Sequence, residues 1–313
     1  MAAVHRVGVV DLGTNSTRLL VADVEDGAVS ELERRTVVTR FGESVDATGR
    51  LSEAAMGRVA DTLGGYRQVI DRLGAERVVA VATSAMRDAE NGPAFREHLR
   101  ERFDIDARTI TGDEEARLTF RGATAARKGT AATVVIDIGG GSTEYVVGRP
   151  RDDPDFYVST RMGSVRHTER FLPTDPPTDQ ELAALAADAA RIAKEEVPGE
   201  VRDATQHGIA VAGTATTLAA IDQQLDPYDR DRVHGYRLGL AAAERMLRML
   251  AALPLAERRE VTGLDPDRAP SIVAGAGILV ESIRAFGLDG VEISEADILH
   301  GAALAAADGA LEG

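Results

Sequence analysis

Hydrophobic and polar positions in the first part of the chain follow two different periods. Residues 7–40 consist of short apolar runs broken by turn signals at Gly13 and Asp26-Gly27, which predicts a meander of strands. Residues 52–73 carry apolar positions at helical spacing, and Ser52 is placed to cap the first turn. The further elements predicted here are a strand at Arg77–Val81, a helix at Gly92–Phe103, a short strand at Ala107–Ile110 and a helix that opens at Thr111 and runs to about Ala126.

The second part of the chain repeats this scheme. Strands are predicted at 133–148 and 155–160, and a long Ala-rich helix follows at about Asp179–Glu196. The remaining predicted elements are a strand at Gly208–Ala212, helices near 239–252, 255–262 and 267–286, a strand at Val291–Ser294 and a terminal helix from Glu295. A strand meander followed by alternating helices and strands, occurring twice, predicts an α/β protein with duplicated halves and a cleft between them.

One short motif occurs in both halves, 126 residues apart. Val9–Leu20 is echoed by Val135–Val146, and each copy has an apolar run, an Asp, a Gly-rich turn, a Ser-Thr pair and a second apolar run. The positions that coincide are Asp11 with Asp137, Gly13 with Gly139, Ser16 with Ser142, and Thr17 with Thr143. One position changes character, because Arg18 in the first copy corresponds to Glu144 in the second. We therefore expect two similar loops with different tasks.

Both copies are typical of loops that bind phosphate. Glycine tolerates positive φ, so successive backbone N–H groups can point into one concavity that binds an anion. The predicted phosphate-binding loop residues are Gly13, Thr14, Asn15 and Ser16 in the first copy and Gly139, Gly140, Gly141 and Ser142 in the second. Asp11 and Asp137 each end a strand where a turn begins, a place suited to a magnesium ion or its waters. The alternatives are ordinary hairpins with glycine turns, in which each Asp caps a turn.

Composition limits the function classes. The chain has 313 residues, enough for two domains, and 44% of them are hydrophobic. The net charge of −15 argues against general nucleic-acid binding. No apolar run approaches the roughly 18–20 residues of a membrane span. The first strand begins by Val7, which leaves no room for a secretory signal, and there is no cysteine, so we expect a cytoplasmic protein.

The order of several motifs resembles the exopolyphosphatase and guanosine pentaphosphate phosphatase family. The motifs are Val-Asp-Leu-Gly-Thr-Asn-Ser from residue 10, Ala-Thr-Ser-Ala-Met-Arg from residue 82, Thr-Gly-Asp-Glu-Glu-Ala-Arg from residue 111 and Ile-Asp-Ile-Gly-Gly-Gly-Ser-Thr-Glu from residue 136. The resemblance spans nearly the whole chain. It implies an α/β fold with two ribonuclease-H-like domains of the actin, sugar kinase and 70-kDa heat-shock superfamily, facing each other across a cleft.

The domain boundaries expected from this resemblance are 1–125 for the N-terminal domain and 126–294 for the C-terminal domain. The last helix, 295–313, is expected to pack back on the first domain. The chain resembles the short, two-domain form of the family. Relatives are often homodimers, and the Ala-rich helix at 179–196 could pack against a second copy or against its own sheet.

The resemblance places the catalytic glutamate of the family on Glu115, which the sequence puts in the first turn of a helix just after a strand. We interpret Glu115 as the general base, and Glu144 as a second carboxylate that orients the water or the metal. Arg18 and Arg87 are interpreted as phosphate-binding arginines. The alternative for Arg87, which follows a strand and a Thr-Ser turn, is a surface ion pair.

Magnesium or another divalent cation is the expected cofactor, with Asp137 as the first choice of ligand and Asp11 as the second. Arg166 is a weaker candidate for the site, and His167 is expected at the edge of the cleft. The leading hypothesis is a metal-dependent exopolyphosphatase that releases orthophosphate from the end of inorganic polyphosphate. The alternatives are a guanosine pentaphosphate phosphohydrolase and a non-catalytic sensor of alarmone nucleotides or polyphosphate.

Overall fold

The computed structural model describes residues 3–311, and these residues divide by their internal contacts into two compact units. One unit comprises the described residues up to Arg127 together with those from Asp297 onward, and the other comprises Lys128–Ala296. Each unit has its own sheet. Residues 312 and 313, at the end of the predicted terminal helix, lie outside the described residues.

The strands of the described residues belong to two mixed sheets. The strands are β1 (His5–Leu12), β2 (Ser16–Glu25), β3 (Ala28–Val38), β4 (Arg77–Ala82), β5 (Ala107–Thr109), β6 (Thr133–Ile138), β7 (Thr143–Gly148), β8 (Phe156–Thr160), β9 (His207–Val211), β10 (Arg237–Gly239) and β11 (Gly290–Ile293). The first sheet has the order β3-β2-β1-β4-β5, and the second has the order β10-β11-β9-β6-β7-β8. In each sheet a three-stranded antiparallel meander continues into parallel strands, so the predicted duplication is visible in the backbone.

Helices connect the strands and cover the sheets. They are α1 (Val45–Thr48), α2 (Glu53–Leu73), α3 (Ser84–Asp88), α4 (Gly92–Phe103), α5 (Gly112–Thr124), α6 (Ser164–Phe171), α7 (Asp179–Glu196), α8 (Gly199–Ala204), α9 (Ala212–Asp222), α10 (Arg230–Val233), α11 (Leu240–Ala252), α12 (Leu255–Arg258), α13 (Ile272–Ala285) and α14 (Ile298–Ala307). Ser52 caps α2 as predicted, since its side chain accepts a hydrogen bond from the Ala55 N–H. Within the described residues, no helix is both long and apolar enough to cross a membrane.

The strands of the first sheet present different residues to its two faces. Val10 and Leu12 of β1 belong to the apolar core that includes residues of α2 and α4. Val7 and Val9 belong to a second core, which includes Leu299 of α14. Because side chains alternate along a strand, Asp11 shares the α14 face of the sheet with Val9. This arrangement places the predicted site residue Asp11 beside the N-terminal end of α14.

A large apolar core lies in the second unit. Ile136 of β6 and Tyr145 of β7 pack there with side chains from α7, α9 and α13. The buried residues of α7 include Leu185 and Ala189, so this Ala-rich helix covers the core of its own unit.

Several short helices were not predicted from the sequence, and two of them, α3 and α6, bear on the candidate site. The turn expected before Arg87 is instead the start of α3, which contains Arg87 in its last turn. The segment after the second glycine-rich loop forms α6, which begins at Ser164. Both helices lie beside a glycine-rich loop, and both position residues of the candidate site.

Candidate active site

The first glycine-rich loop joins β1 to β2 through residues 13–15. The N–H of Gly13 donates to the Ser16 carbonyl at 3.0 Å, and a Cβ on Gly13 would lie 2.9 Å from that oxygen. The carbonyls of Thr14 and Asn15 accept hydrogen bonds from the N–H groups of Gly42 and Arg40, at 2.7 and 2.8 Å. In a trans peptide the C=O and the following N–H point in opposite directions. The N–H groups of Asn15 and Ser16 therefore point away from residues 40–42.

The second loop, residues 139–142, is held in the same way by the start of α6. The carbonyls of Gly139 and Gly140 accept hydrogen bonds from the N–H groups of Ser164 and Val165, each at 2.9 Å. The carbonyl of Gly141 accepts from the Nε of Arg166 at 2.8 Å. By the same peptide geometry, the N–H groups of Gly140, Gly141 and Ser142 point away from α6. Three successive N–H groups on one side form a nest that can bind an anion.

A glycine lies directly behind each loop. A Cβ on Gly42 would lie 2.3 Å from the Cγ2 of Thr14, and a Cβ on Gly163 would lie 2.4 Å from the carbonyl oxygen of Gly140. Only glycine fits these two positions without moving the loop. Gly42 and Gly163 were not predicted as site residues, since neither belongs to the repeated motif.

The first loop is linked to Arg87 and Glu115 by side-chain contacts within the first unit. The hydroxyls of Thr14 and Ser84 are 2.8 Å apart, and Ser84 begins the helix that carries Arg87. The Nη1 of Arg87 donates to the carbonyl of Ile110 at 2.9 Å and to the Oε2 of Glu115 at 3.3 Å. The structure thus brings Thr14, Arg87 and Glu115 together, although they come from three separate segments of the chain.

Glu114 and Glu115 are adjacent but have different environments. Thr111 and Glu114 form a capping box at the start of α5, because each side chain accepts a hydrogen bond from the other's backbone N–H. Hydrogen bonding to the Thr111 backbone, together with the charge of Arg108, lowers the pKa of the Glu114 carboxyl. Glu115 is only 8% exposed and faces Arg87. Thr111 is thus the N-cap of α5 and Glu114 completes its capping box, while the role of Glu115 as the base stays a prediction.

Arg18 lies between two buried carboxylates. It faces Asp11 directly across the β1–β2 pair, and its Nε and Nη2 are 2.8 and 2.6 Å from the Asp11 Oδ2. Its Nη1 donates to the Oδ2 of Asp297, the N-cap residue of α14. These contacts occupy both edges of the guanidinium, and the Arg18 side chain is 15% exposed. Phosphate would have to compete with them, so the predicted phosphate-binding role of Arg18 stays a prediction.

Burial and the arginine charges have opposite effects on the two carboxylates. Burial raises the pKa of Asp11 despite the nearby charge of Arg18. Burial would also raise the pKa of Asp297, but the charges of Arg18 and Arg34 outweigh it and lower that pKa to about 2. Asp297 is therefore firmly ionised at neutral pH. In the described part of the chain the Oδ1 of Asp11 has no hydrogen-bond partner.

The equivalent positions of the second hairpin hold two carboxylates. Asp137 faces Glu144 directly across the β6–β7 pair, and Glu144 faces Ser159 of β8. The hydroxyl of Ser159 donates to the Oε1 of Glu144 at 2.6 Å. Asp137 is 6% exposed and Glu144 is 1% exposed. Side chains directly opposite each other lie on the same face, and like charges in that position repel.

This carboxylate pair is chemically suited to magnesium. Among residues 3–311, no three His, Asp or Glu side chains are grouped closely enough to form a complete metal site. Magnesium commonly binds through only one or two carboxylates, with substrate phosphates and waters as the other ligands. Asp137 and Glu144 fit that mode. Asp11 fits it less well, because Arg18 already neutralises its charge.

Arg166 and His167 lie beside the second loop on α6. Arg166 supports the loop through its bond to the Gly141 carbonyl, and burial lowers the pKa of its guanidinium. The expectation that His167 lies at an edge is wrong, because its side chain is fully buried. Burial lowers the pKa of His167 to about 4, partly offset by Asp188, whose Oδ2 is 3.3 Å from the His167 Nε2.

A comparison with known proteins adds to this geometry. The family model described as the Ppx/GppA phosphatase family matches residues 20–308. The chain belongs to the Ppx/GppA phosphatase family. It is 36% identical to exopolyphosphatase 2 of Mycobacterium tuberculosis, over 97% of this chain and 99% of that protein. It is 29% identical to exopolyphosphatase 1 of Mycobacterium bovis, over 98% of this chain and 90% of that protein.

Solved structures of the same family are similar in fold. The Aquifex aeolicus family member is 29% identical, with a TM-score of 0.83 over 99% of this chain and 100% of that chain. An exopolyphosphatase from Cytophaga hutchinsonii is 26% identical, with a TM-score of 0.87 over 97% of this chain and 98% of that chain. These matches confirm the family resemblance and the predicted fold class, an α/β protein with two ribonuclease-H-like domains.

Proposed function

We propose that this protein is a metal-dependent exopolyphosphatase, which hydrolyses the terminal phosphoanhydride of inorganic polyphosphate and releases orthophosphate. Family membership and the near full-length similarity to proteins named exopolyphosphatase support this substrate class. The observation that supports the proposed mechanism is the contact of Arg87 with Glu115, a cation next to a candidate base, in a unit where Ser84 of the Arg87 helix contacts Thr14 of the first loop.

In the proposed reaction the two loops bind phosphate through backbone N–H groups. Asn15 supplies one in the first unit, and Gly140 and Gly141 supply others in the second. Because the N–H groups are fixed by hydrogen bonds on the opposite side of each loop, they need no reorganisation as charge shifts during phosphoryl transfer. Arg87 would contribute a positive charge to a phosphate bound beside it.

Glu115 accepts the proton of the attacking water in this proposal. The positive charge of Arg87 favours the ionised carboxylate that a base requires. Asp137 and Glu144 would hold the divalent cation, which when bound neutralises phosphate charge. Water, rather than a side chain, is the nucleophile, so no covalent enzyme intermediate forms.

The test measures orthophosphate release with magnesium from short polyphosphate, long polyphosphate, guanosine pentaphosphate and ATP. We expect release from polyphosphate, and we expect Glu115→Gln to reduce kcat by at least about a hundredfold while substrate binding persists. The matched control is Glu114→Gln, because glutamine can serve in the same capping box.

Three outcomes would change the proposal. Release from guanosine pentaphosphate alone would identify the protein as a guanosine pentaphosphate phosphohydrolase. Tight binding with no release from any substrate would indicate a sensor. Equal kcat values for Glu115→Gln and Glu114→Gln would remove Glu115 from the mechanism.

A further inference from the structure

Asp297 connects three parts of the first unit through its side chain. Its Oδ1 accepts the N–H of Leu299 at 3.0 Å and so caps α14. Its Oδ2 accepts hydrogen bonds from Arg18 on β2 and, at 3.3 Å, from Arg34 on β3. The side chain is 3% exposed, so these interactions are shielded from water. No motif in the sequence marks this residue as part of the site.

The backbone of Asp297 also touches α5, the helix that carries Glu115. A Cβ on Gly122 of α5 would lie 1.9 Å from the Asp297 carbonyl oxygen. A Cβ on Gly301 of α14 would lie 1.8 Å from the carbonyl oxygen of Leu118 on α5. The two helices therefore cross backbone against backbone, which leaves little freedom for one to slide along the other.

Arg18 links Asp297 to β1 through its side chain. Its other edge holds Asp11, the residue two positions before Gly13. An arginine with carboxylates on both edges is fixed in a single orientation, since its planar fork matches both partners. Its charge is also compensated inside the protein, which makes it a weak attractor for phosphate.

We propose that Asp297 is a positioning residue for the phosphatase site. Through Arg18 it fixes Asp11 and the end of β1 where the first loop begins, and through its contact with Gly122 it fixes the helix that carries Glu115. In this proposal Arg18 acts as a structural link, and its predicted role as a phosphate ligand is the competing interpretation that the experiment tests. This inference rests on the proposed hydrolysis, and the experiment separates the two.

The main variant is Asp297→Ser, which retains a good helix cap but cannot reach Arg18. The matched control is Asp229→Ser, because Asp229 caps α10 in the second unit and does not contact Arg18. We expect Asp297→Ser to lower kcat for polyphosphate by about tenfold or more, as residues that orient active-site groups commonly do. We expect KM to change by less than about threefold, because no phosphate contact is lost. The Asp229→Ser control should leave both kcat and KM unchanged.

A double-mutant cycle with Arg18→Gln tests the link directly. If Arg18 acts through the Asp297 contact, the double variant should lose no more kcat than the worse single variant. Multiplicative losses would overturn the proposal. A rise in KM for Arg18→Gln that Asp297→Ser does not share would also overturn it, because it would make Arg18 a direct phosphate ligand.

The contact with α5 is tested by Gly122→Ala, with Gly65→Ala as control. A Cβ at Gly65 meets no atom within 4 Å, and a Cβ at Gly122 meets the Asp297 carbonyl. We expect kcat to fall only in Gly122→Ala. If the unmodified protein released no orthophosphate, the proposed function would fail by itself. The same cycle would then be measured as urea unfolding midpoints, where an absence of coupling between Arg18 and Asp297 would overturn the inference independently.

Discussion

The two glycine-rich hairpins have a similar backbone, but they carry residues of opposite charge at one equivalent position. In the first, Asp11 faces Arg18 across the strands, and the arginine continues to Asp297. In the second, the same register positions hold Asp137 and Glu144. Opposite charges across a strand pair attract, and like charges repel. The first hairpin therefore pairs its carboxylate with an arginine across the strands, whereas the second places two carboxylates on one face, an arrangement suited to a divalent cation.

This difference suggests different tasks for the two copies of the motif: a structural link at Arg18 and a candidate metal site at Glu144. In the first hairpin Arg18 at this position contacts Asp297 at the start of α14, and the proposed base Glu115 contacts Arg87 elsewhere in the same unit. The second hairpin uses the same position for a candidate catalytic carboxylate. The charge of the residue at this one position therefore distinguishes the two copies of the motif.

The strongest test of this comparison is to place glutamine at each of the two positions, Arg18 and Glu144. Arg18→Gln leaves Asp11 buried without its cation, which should lower the free energy of unfolding by about 3–5 kcal/mol. Glu144→Gln relieves repulsion with Asp137 and keeps an acceptor for Ser159, so we expect a loss of no more than about 1 kcal/mol. Urea unfolding in metal-free buffer measures both. Equal destabilisation would contradict the comparison.

The sequence predicted most of what is local. The strands and turns of both hairpins follow from alternation and glycine placement, and the predicted opening of a helix at Thr111 agrees with its position as the N-cap of α5. Asp297 was missed because it lies 279 residues from its partner Arg18. Its one sequence signal, an Asp directly before the apolar pair Ile298-Leu299, indicates an N-cap but no partner.

The burial of individual polar side chains could not be predicted from the sequence either. His167 differs from an exposed histidine only through packing in the folded unit, including Asp188 of α7. The opposite environments of Glu114 and Glu115 were easier to predict, because adjacent helix positions point in different directions. The family resemblance singled out Glu115 of the two, and Glu115 is the more buried of the pair.

A smaller effect concerns the pH dependence of the first hairpin. The pKa of Asp297 falls from the usual value of 3.8 to about 2 in the folded protein. A depressed pKa gives stability that is present above the unfolded pKa and is lost as pH falls toward about 2. At 1.36 kcal/mol per pKa unit, the contribution is about 2 kcal/mol. Asp11 contributes to the pH dependence of stability in the opposite sense, because burial raises the pKa of its carboxyl.

The Asp297 contribution is isolated by comparing the unmodified protein with Asp297→Asn, which keeps the helix cap. We expect the difference in unfolding free energy to shrink between about pH 4 and about pH 2. Denaturant unfolding at a series of pH values measures this, with Asp229→Asn as the control cap. A pH-independent difference would show that Asp297 contributes no ionic interaction to the first hairpin.

The mildest expected effect compares the two aspartates that end the first strand of each hairpin. Asp137→Asn should raise the magnesium concentration for half-maximal orthophosphate release by about tenfold, because it removes one of two paired carboxylates. Asp11→Asn should change that concentration by less than about twofold, since Arg18 already neutralises Asp11, although kcat should fall as the loop loses its anchor. Equal shifts in magnesium requirement would mean that both aspartates hold the metal. The charge at Arg18 would then not distinguish the hairpins, and the division of tasks argued from that position would fail.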